Sequence, residues 1–198
     1  MEFQEVVRRR RMIRRYQSAP VPEEVVERVV AATLHGPSAG FSQGIDVIVV
    51  TDQETRQRVV EALSDEPEPD RPLYAAPVQL IITADEERYH RRYNEPDKLA
   101  VGGGKEIGWP VSYWFVDAGA AMMLALLAAV DEGLAAGFYG HPDHVARLQK
   151  ILDLPSAAVP IGVIALGYSA EDSVSPEMRQ RIRARRRPAS EAVHRERW

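Results

Sequence analysis

The chain has 198 residues, of which 45% are hydrophobic and 27% are charged, and these values are typical of one globular domain spanning residues 1–198. Such a composition excludes disordered and low-complexity proteins. There are no cysteines, which excludes disulfides, thiolate metal ligands and cysteine nucleophiles. No uncharged apolar run approaches about 18 residues, and the first residues lack the apolar core of a secretion signal. We therefore expect a cytoplasmic protein without a membrane span.

The basic residues are concentrated at the two ends of the chain. Residues 1–15 and 179–198 contain 14 of the 25 basic residues but only 4 of the 29 acidic ones. Nearly all basic residues of the chain are arginines. The planar guanidinium group of arginine binds phosphate or carboxylate through two hydrogen bonds. The two ends therefore either bind one anion together or pair with the acidic middle of the chain. No nucleic-acid-binding motif accompanies them, so we expect no nucleic-acid partner.

Hydrophobic periodicity and turn residues predict the elements of the first half. They are an arginine-rich helix to about Arg15, a helix from Pro22 to about Leu34, a loop of small residues at 37–44, a buried strand at 47–51, a helix at 53–63 and a loop at 64–72.

The second half continues this alternation of strands and helices. Its predicted elements are a buried strand at 77–83, a polar excursion at 85–108, a long apolar helix from Trp109 to about Glu132, a short segment at 134–140, a helix at 141–152, a strand at 160–168 and a tail that is helical from Ser175 and then extended. Strands separated by helices indicate an α/β or α+β fold with the sheet between helices.

Familiar ligand-binding motifs are incomplete in this sequence. Gly102-Gly103-Gly104-Lys105 is followed by Glu106 rather than Ser or Thr, so it is not a phosphate-binding P-loop. No Gly-x-Gly-x-x-Gly follows a strand, so a dinucleotide-binding Rossmann unit is not supported. His141, Asp143 and His144 have the composition of a metal site, but solvated residues at a helix start are the commoner case, and we predict no metal.

Four segments, in order along nearly the whole chain, resemble the flavin-dependent nitroreductase family. They are Arg10-Arg11-Met12-Ile13-Arg14-Arg15-Tyr16, similar to the family's Arg-Arg-Ser-x-Arg-x-Phe; residues 36–45, similar to Ala-Pro-Ser-x-x-x-x-Gln-Pro-Trp; the long helix with Asp117-Ala118-Gly119 and the turn at 133–140; and Leu166-Gly167-Tyr168 with Arg186-Arg187-Pro188 through Trp198.

The resemblance implies an α+β fold with a nitroreductase-like mixed sheet of about five strands, sandwiched by helices in an intertwined homodimer. It implies FMN at the dimer interface, which accepts hydride at flavin N5 from NADH or NADPH and passes the electrons to a small oxidised acceptor such as a nitroaromatic or a quinone. Two alternatives remain open. The protein is a reductive dehalogenase or flavin-cleaving relative, or it binds and stores FMN without catalysis.

The resemblance also implies which residues bind the cofactor, while no side chain is expected to act as a catalytic nucleophile. Its ten positions are Arg10 and Arg186 at the phosphate, with Arg11 or Arg185; Arg14 near the pyrimidine edge of the ring; Pro37, Ser38 and Ala39 contributed by the partner subunit; and Tyr139 and Gly140, whose turn presents a backbone N–H to flavin N5.

The sequence departs from the family pattern at positions near the expected cofactor. Met12 replaces a serine that helps to bind phosphate, Gly44-Ile45 replaces Pro-Trp, and Phe41 occupies a position that is often polar. Residues 85–114 are rich in aromatic side chains, which suit a pocket for planar ligands. We therefore expect this segment to form a lid over the flavin and to select the substrate.

Overall fold

The computed structural model describes residues 1–66, 72–170 and 175–198. The α-helices within these ranges are α1 (Phe3–Arg9), α2 (Glu23–Thr33), α3 (Gln53–Glu61), α4 (Glu86–Tyr93), α5 (Pro96–Val101), α6 (Tyr113–Asp131), α7 (His144–Ile151), α8 (Pro176–Arg185) and α9 (Ala189–Ala192). The strands are β1 (Ile45–Val50), β2 (Val78–Asp85), β3 (Ala135–Tyr139) and β4 (Ala158–Gly167).

The strands form one sheet in the order β1-β2-β4-β3, and each neighbouring pair is antiparallel. Ile48 of β1 pairs with Ile81 of β2, which pairs in turn with Val163 of β4 and through it with Tyr139 of β3. β1 and β3 are therefore the two edges of the sheet. Three inter-strand spacings separate them, which amounts to about 14 Å.

Helices cover both faces of the sheet, because the side chains of its central strands alternate between two apolar clusters. Leu80, Ile82 and Ile164 point to the face that is covered by α2 and α6. Ile81 and Val163 point to the opposite face, where α3 and α7 pack. The expected sheet between helices is confirmed, and so is the α+β class.

Helix α6 is the central helix of the molecule. By length and composition it could cross a membrane, since its single internal charge is Asp117. Its buried residues, among them Ala118, Ala121 and Leu126, pack against α2 and the sheet, as in the core helix of a soluble protein. The helix stops where Gly133 adopts a left-handed conformation (φ 76°) and Leu134 N–H donates to the Ala129 carbonyl, which is a common way to end a helix.

Two elements differ from the sequence predictions because long-range backbone pairing overrides local periodicity. The first helix ends at Arg9 rather than near Arg15, since the following residues run extended and Ile13 N–H donates to the Ala136 carbonyl. The segment 134–140, which was not predicted as a strand, contains β3. Its small residues carry little strand propensity of their own and are held by pairing with β4.

The sheet itself also requires a correction. A mixed sheet of about five strands was expected, whereas the described residues form four strands that pair only in antiparallel fashion. The C-terminal residues 180–198 are exposed throughout, and in the described ranges no strand pairing joins them to the sheet. The loop predicted at 64–72 falls partly outside the described residues, which omit 67–71.

Candidate functional site

The arginine segment that follows α1 lies along the β3 edge of the sheet. Ile13 N–H donates to Ala136 O at 3.0 Å, and Gln17 N–H donates to Tyr168 O at 2.9 Å. Between them, Tyr16 forms an isolated antiparallel bridge with Ser169. These main-chain contacts hold the segment in an extended conformation, in which Arg10, Arg11 and Arg14 follow one another beside the sheet instead of around a helix.

Two tyrosine hydroxyls fix this segment at one carbonyl group. The Ile13 carbonyl accepts hydrogen bonds from Tyr139 Oη at 2.7 Å and from Tyr16 Oη at 2.8 Å. Burial, with the nearby Tyr139 hydroxyl, raises the pKa of Tyr16 well above its ordinary value, while Arg14 opposes the shift. The Tyr16 hydroxyl therefore remains a protonated donor at neutral pH. The segment next to Arg14 is thus fastened to the end of β3.

The predicted phosphate ligands of this segment are available to bind an anion. Arg10 is half-buried, and Arg11 and Arg14 are exposed. The Arg11 guanidinium donates to the carbonyls of Arg8 and Arg10. Among the described residues, no carboxylate forms an ion pair with Arg10 or Arg14, in contrast to the paired arginines elsewhere in the chain. Unpaired guanidinium groups at a fixed backbone suit phosphate binding.

Tyr139 is the last residue of β3 and Gly140 follows it, as expected for a turn that approaches a ligand. Gly140 is exposed, and a Cβ atom placed there would meet only His144, at 3.8 Å. The His144 ring is anchored in turn, because its nitrogens contact the carbonyls of His141 and Pro160. The backbone at Gly140 is therefore open to a flat ring that approaches from solvent.

The loop that contains Pro37, Ser38 and Ala39 is tied to α6 rather than to the arginine segment. Ala39 N–H donates to Asp117 Oδ2 at 2.8 Å. Ser38 Oγ accepts from Gln43 N–H at 2.8 Å, which closes the loop on itself. Pro37 is exposed, and its two neighbours are partly exposed. The loop leads into β1, the edge strand opposite β3.

Helix α4 covers this loop and brings in the aromatic residues of the 85–114 segment. Tyr89 is fully buried and donates its hydroxyl to Asp117 Oδ2 at 2.8 Å. The rings of Trp109 and Trp114 lie 6.3 and 6.0 Å from that of Tyr89. A Cβ atom at Gly44 would lie 2.4 Å from the Tyr89 ring. Tyr89 occupies the space that a proline side chain would need there, which explains the departure at Gly44 from the family pattern.

A second polar cluster holds the far part of the same segment. The Glu106 carboxylate contacts His90 Nδ1 at 2.5 Å and accepts from Trp109 Nε1 at 2.6 Å and from Asn94 Nδ2 at 2.9 Å. The hydrogen bond that His90 donates to Glu106 raises the pKa of His90, and Glu86 contributes in the same direction. The Trp109 and His90 hydrogen bonds lower the pKa of Glu106. The segment is thus held by an ion pair that joins α4 to the residues before α6.

Arg185 and Arg186 lie at the end of α8, and both are exposed. In the described ranges, no hydrogen bond or ion pair joins either of them to residues 10–14. The structure therefore brings the first arginine segment to Tyr139, but it does not unite the two ends of the chain within one protomer. Met12 and Phe41 are exposed to 36% and 76%, so neither departure is buried in the core.

The histidine-rich start of α7 includes a possible group of metal ligands. Donor atoms of Asp65, His141 and Asp143 lie within 4.8 Å of one another. Arg147 contacts Asp65 at 2.5 Å and Asp143 at 3.5 Å. His144 faces carbonyl groups and is not part of the group. Because the Arg147 guanidinium contacts both carboxylates and His141 also contacts Asp65, these groups form a surface network of polar contacts.

Sequence reasoning missed Asp117 and Tyr16 as residues that organise the site. Asp117 is 4% exposed, and its Oδ2 accepts from both Ala39 and Tyr89. A lone acid inside an otherwise apolar helix was a usable signal, because a buried carboxyl group requires hydrogen-bond partners. The partners themselves lie far away in the sequence and were not readable from it.

Comparisons with known proteins agree with this architecture. The model of the nitroreductase family matches residues 7–101 and 105–168. A relative from Methanothermobacter thermautotrophicus, provisionally named NADH dehydrogenase/NAD(P)H nitroreductase, is 30% identical over 87% of this chain and 80% of its own length.

Two further matches extend the comparison. The FMN reductase [NAD(P)H] of Bacillus subtilis is 30% identical over 82% of this chain and 64% of its own length. The structure of an FMN-dependent nitroreductase from Clostridium difficile R20291 superposes with a TM-score of 0.71 at 20% identity, covering 98% of each chain. The predicted family is confirmed: the chain belongs to the nitroreductase family.

Proposed function

We propose that this protein is an FMN-dependent oxidoreductase, which takes hydride from NADH or NADPH and passes electrons to a small oxidised acceptor such as a nitroaromatic or a quinone. Membership of the nitroreductase family supports this class of reaction. The cofactor is supported by the names of the matched FMN reductase and FMN-dependent nitroreductase. The observation that carries the proposal is the arginine segment with unpaired Arg10 and Arg14, fastened to β3 beside Tyr139 and Gly140.

Arg10 and Arg186 are the proposed phosphate ligands, with Arg11 or Arg185 in support. FMN carries close to two negative charges on its phosphate, and bidentate guanidinium contacts are a strong way to bind such a group. In the described ranges no carboxylate pairs with the half-buried Arg10 or with the exposed Arg185 and Arg186, which fits that role. The exposed Met12 offers no hydroxyl, so the arginines supply the polar contacts at this position.

Arg14, Tyr139 and Gly140 are proposed to lie along the ring of the cofactor. Arg14 places a cation where negative charge develops on reduction, and this charge favours the reduced cofactor. The open backbone at Gly140 allows close approach of its N–H to a flat ring. When bound, FMN supplies the hydride chemistry, and the protein positions the donor and the acceptor in turn on the same face.

The complete site is proposed to require a homodimer. Pro37, Ser38 and Ala39 belong to a loop that enters β1, whereas Tyr139 lies on the opposite edge of the sheet, and about 14 Å separates the two strands. Two copies of the chain would bring the loop of one protomer to the turn of the other. The exposed C-terminal residues 180–198, with their arginines, have the length to reach across such an interface.

The 85–114 segment is proposed as the wall that selects the acceptor. Its rings form a cluster around Trp109, with Tyr93 at 4.6 Å and Tyr113 at 6.2 Å. Aromatic walls bind planar, apolar molecules with few polar contacts. NADH and NADPH are available inside cells, which agrees with the cytoplasm as the proposed location.

The test is a visible absorption spectrum of the purified protein, followed by anaerobic addition of NADH and then of NADPH. We expect flavin absorption that bleaches with one or both donors and returns when menadione is added as the acceptor. Absorption that persists with both donors would favour flavin storage over catalysis. A protein that contains no flavin and takes up no added FMN would contradict the proposal.

A further inference from the structure

One carboxyl oxygen joins the two parts of the molecule that face the proposed cofactor and substrate. Asp117 Oδ2 accepts from Ala39 N–H, in the loop that contacts the flavin in the proposed function, and from the hydroxyl of Tyr89 on α4. Both distances are 2.8 Å. Asp117 is 4% exposed and Tyr89 is fully buried, so water competes little for either hydrogen bond.

The two partners of Asp117 belong to elements that are otherwise packed closely. A Cβ atom at Gly40 would lie 2.5 Å from the Tyr93 ring. Arg92 Nε donates to Gly40 O at 3.0 Å, and Arg88 Nη1 donates to Gln43 O at 2.8 Å. The Arg92 contact is partly buried and the Arg88 contact is exposed to solvent. The link through Asp117 differs from them because both its carboxyl group and the Tyr89 hydroxyl are buried.

From Tyr89 the link continues into the aromatic wall. The Tyr89 ring touches Trp109 and Trp114, which are held from the other side by Glu106 and α6. A displacement of the 37–39 loop therefore moves the hydroxyl partner of Tyr89, and through it the rings that line the proposed substrate site.

We propose that Asp117 is a positioning residue that couples the flavin-contacting loop to α4, so that cofactor binding orders the wall that selects the substrate. This inference rests on the proposed function, because it takes the 37–39 loop as the part that meets FMN. Asp117 touches neither cofactor nor substrate and acts through Ala39 and Tyr89. The expected consequence is that occupancy of the FMN site changes the protection of α4.

The test measures hydrogen exchange of the full-length protein with and without FMN, in peptides that cover 37–44 and 86–93. In the wild type, we expect FMN to slow hydrogen exchange in both of these peptides. In Tyr89→Phe, FMN should still slow exchange in the loop, while its effect on α4 falls about tenfold, as expected for loss of one buried hydrogen bond. Asp117→Ala should abolish the effect on α4 and raise the Kd for FMN about tenfold.

Kinetics with NADH and menadione supply a second readout. Tyr89→Phe should raise the KM for menadione several-fold and leave kcat unchanged, because the hydroxyl orders the wall without touching reacting atoms. Asp117→Asn keeps an acceptor oxygen of the same reach and should restore most of the coupling that Asp117→Ala loses. If Tyr89 and Asp117 served only in folding, their substitution would not selectively change the FMN-dependent protection of α4 or the KM for menadione.

Two control variants separate coupling from loss of stability. Thr83→Val removes a buried hydroxyl from the opposite face of the sheet, and Leu148→Ala destabilises the α7 side of the core. Both should retain FMN-dependent protection of α4. Equal protection of α4 in the wild type and in Tyr89→Phe would overturn the inference while the proposed function stands. A wild-type protein that binds no FMN would overturn both.

Discussion

Arg10 and Arg14 differ from Arg28, Arg92 and Arg147 in what surrounds their guanidinium groups. Arg28 pairs with Glu132 at 2.7 Å, Arg92 with Asp97 at 2.8 Å, and Arg147 with Asp65 at 2.5 Å. These pairs are surface ion pairs, which solvent screens and which contribute little to stability. Arg10 and Arg14 lack such partners in the described ranges. The positive charges of these two arginines are thus available to a ligand.

Removal of the Arg10 side chain should weaken FMN binding with little effect on stability. A hydrogen bond to a charged group contributes about 1.5–3 kcal/mol, so we expect Arg10→Ala to raise the Kd for FMN about 10- to 100-fold in a fluorescence titration. Arg8→Ala is the matched control, since Arg8 is an exposed arginine of α1 whose ion pair with Glu5 spans 4.0 Å. Equal Kd values for both variants and the wild type would remove Arg10 from the site.

The pair of His90 and Glu106 makes the stability of the 85–114 segment depend on pH. Glu106 raises the pKa of His90, so the stabilisation from His90 is fully present below its ordinary pKa of 6.5 and is lost as pH rises through the raised pKa. Trp109 and His90 lower the pKa of Glu106, so its contribution is present above 4.5 and is lost as pH falls through the lowered pKa. The pair is strongest between these two ordinary values.

The free energy of unfolding should therefore decrease as the pH rises above about 6.5 and passes through the raised pKa of His90. The decrease should stay below about 1 kcal/mol, because the His90 side chain is 40% exposed and solvent screens the pair. Urea denaturation at several pH values measures it, and His90→Gln should flatten this part of the profile. A variant with the same profile as the wild type would show that other groups cause the dependence.

At the scale of elements, α4 and the loop before β1 behave as one packed unit. Gly44 is buried beneath Tyr89, and Asp85 N–H donates to the Gly44 carbonyl at 2.8 Å. Asp85 also caps α4 by accepting from Arg88 N–H. The loop, the end of β2 and the start of α4 thus share their contacts, and a change in one is transmitted to the others.

A methyl group at Gly44 should force this unit apart. Its Cβ would lie 2.4 Å from Tyr89 Cε2 and 2.9 Å from the Asp85 carbonyl oxygen, so one of them must move. We expect Gly44→Ala to lower the free energy of unfolding by about 1–3 kcal/mol, the usual cost of overpacking. Gly108→Ala is the control, because a Cβ there meets nothing within 4 Å. Thermal denaturation that finds both variants equally stable would contradict this packing.

Element boundaries separate what local sequence can predict from what it cannot. The starts of α2 and α3 were predictable, since Glu23 and Glu24 follow Pro22 and Asp52 accepts from Thr55 N–H. The end of α1 was not, because residues after Arg9 have helical periodicity but pair with β3 instead. Likewise, the small residues of β3 become a strand only where β4 offers a partner.

At the scale of the whole molecule, α6 carries apolar side chains on the face that points away from the core. Tyr113, Val116 and Met123 lie on this face and are 42%, 49% and 41% exposed. A helix that is apolar all round is normally covered on all sides. A second copy of the chain would cover this face, in agreement with the proposed homodimer.

A charge on this face should therefore separate the subunits. We expect the wild type to sediment with twice the mass of one chain, and Val116→Glu to shift it towards the monomer and to reduce FMN binding together with it. Val49→Glu is the control, because Val49 is 39% exposed on the edge strand β1, outside this face. A wild-type protein that is monomeric while binding FMN fully would contradict the dimeric site.

The family and the α+β class were determined by the sequence alone, because hydrophobic periodicity and short motifs are local properties that can be read residue by residue. The candidate residues 10–14, 37–39 and 139–140 were likewise chosen from the sequence alone, and their roles as ligands stay predictions. Their assignment came from a pattern of residue types in order along the chain.

The tertiary structure alone decided what holds these residues in place. The Tyr139 hydroxyl meets the Ile13 carbonyl 126 positions away along the chain, and Asp117 joins Ala39 to Tyr89 from a third element. No local pattern encodes such pairs, because each depends on how the sheet and helices pack. The same packing converts the residues after Arg9 into an extended edge segment, since the backbone groups of β3 and β4 require partners there.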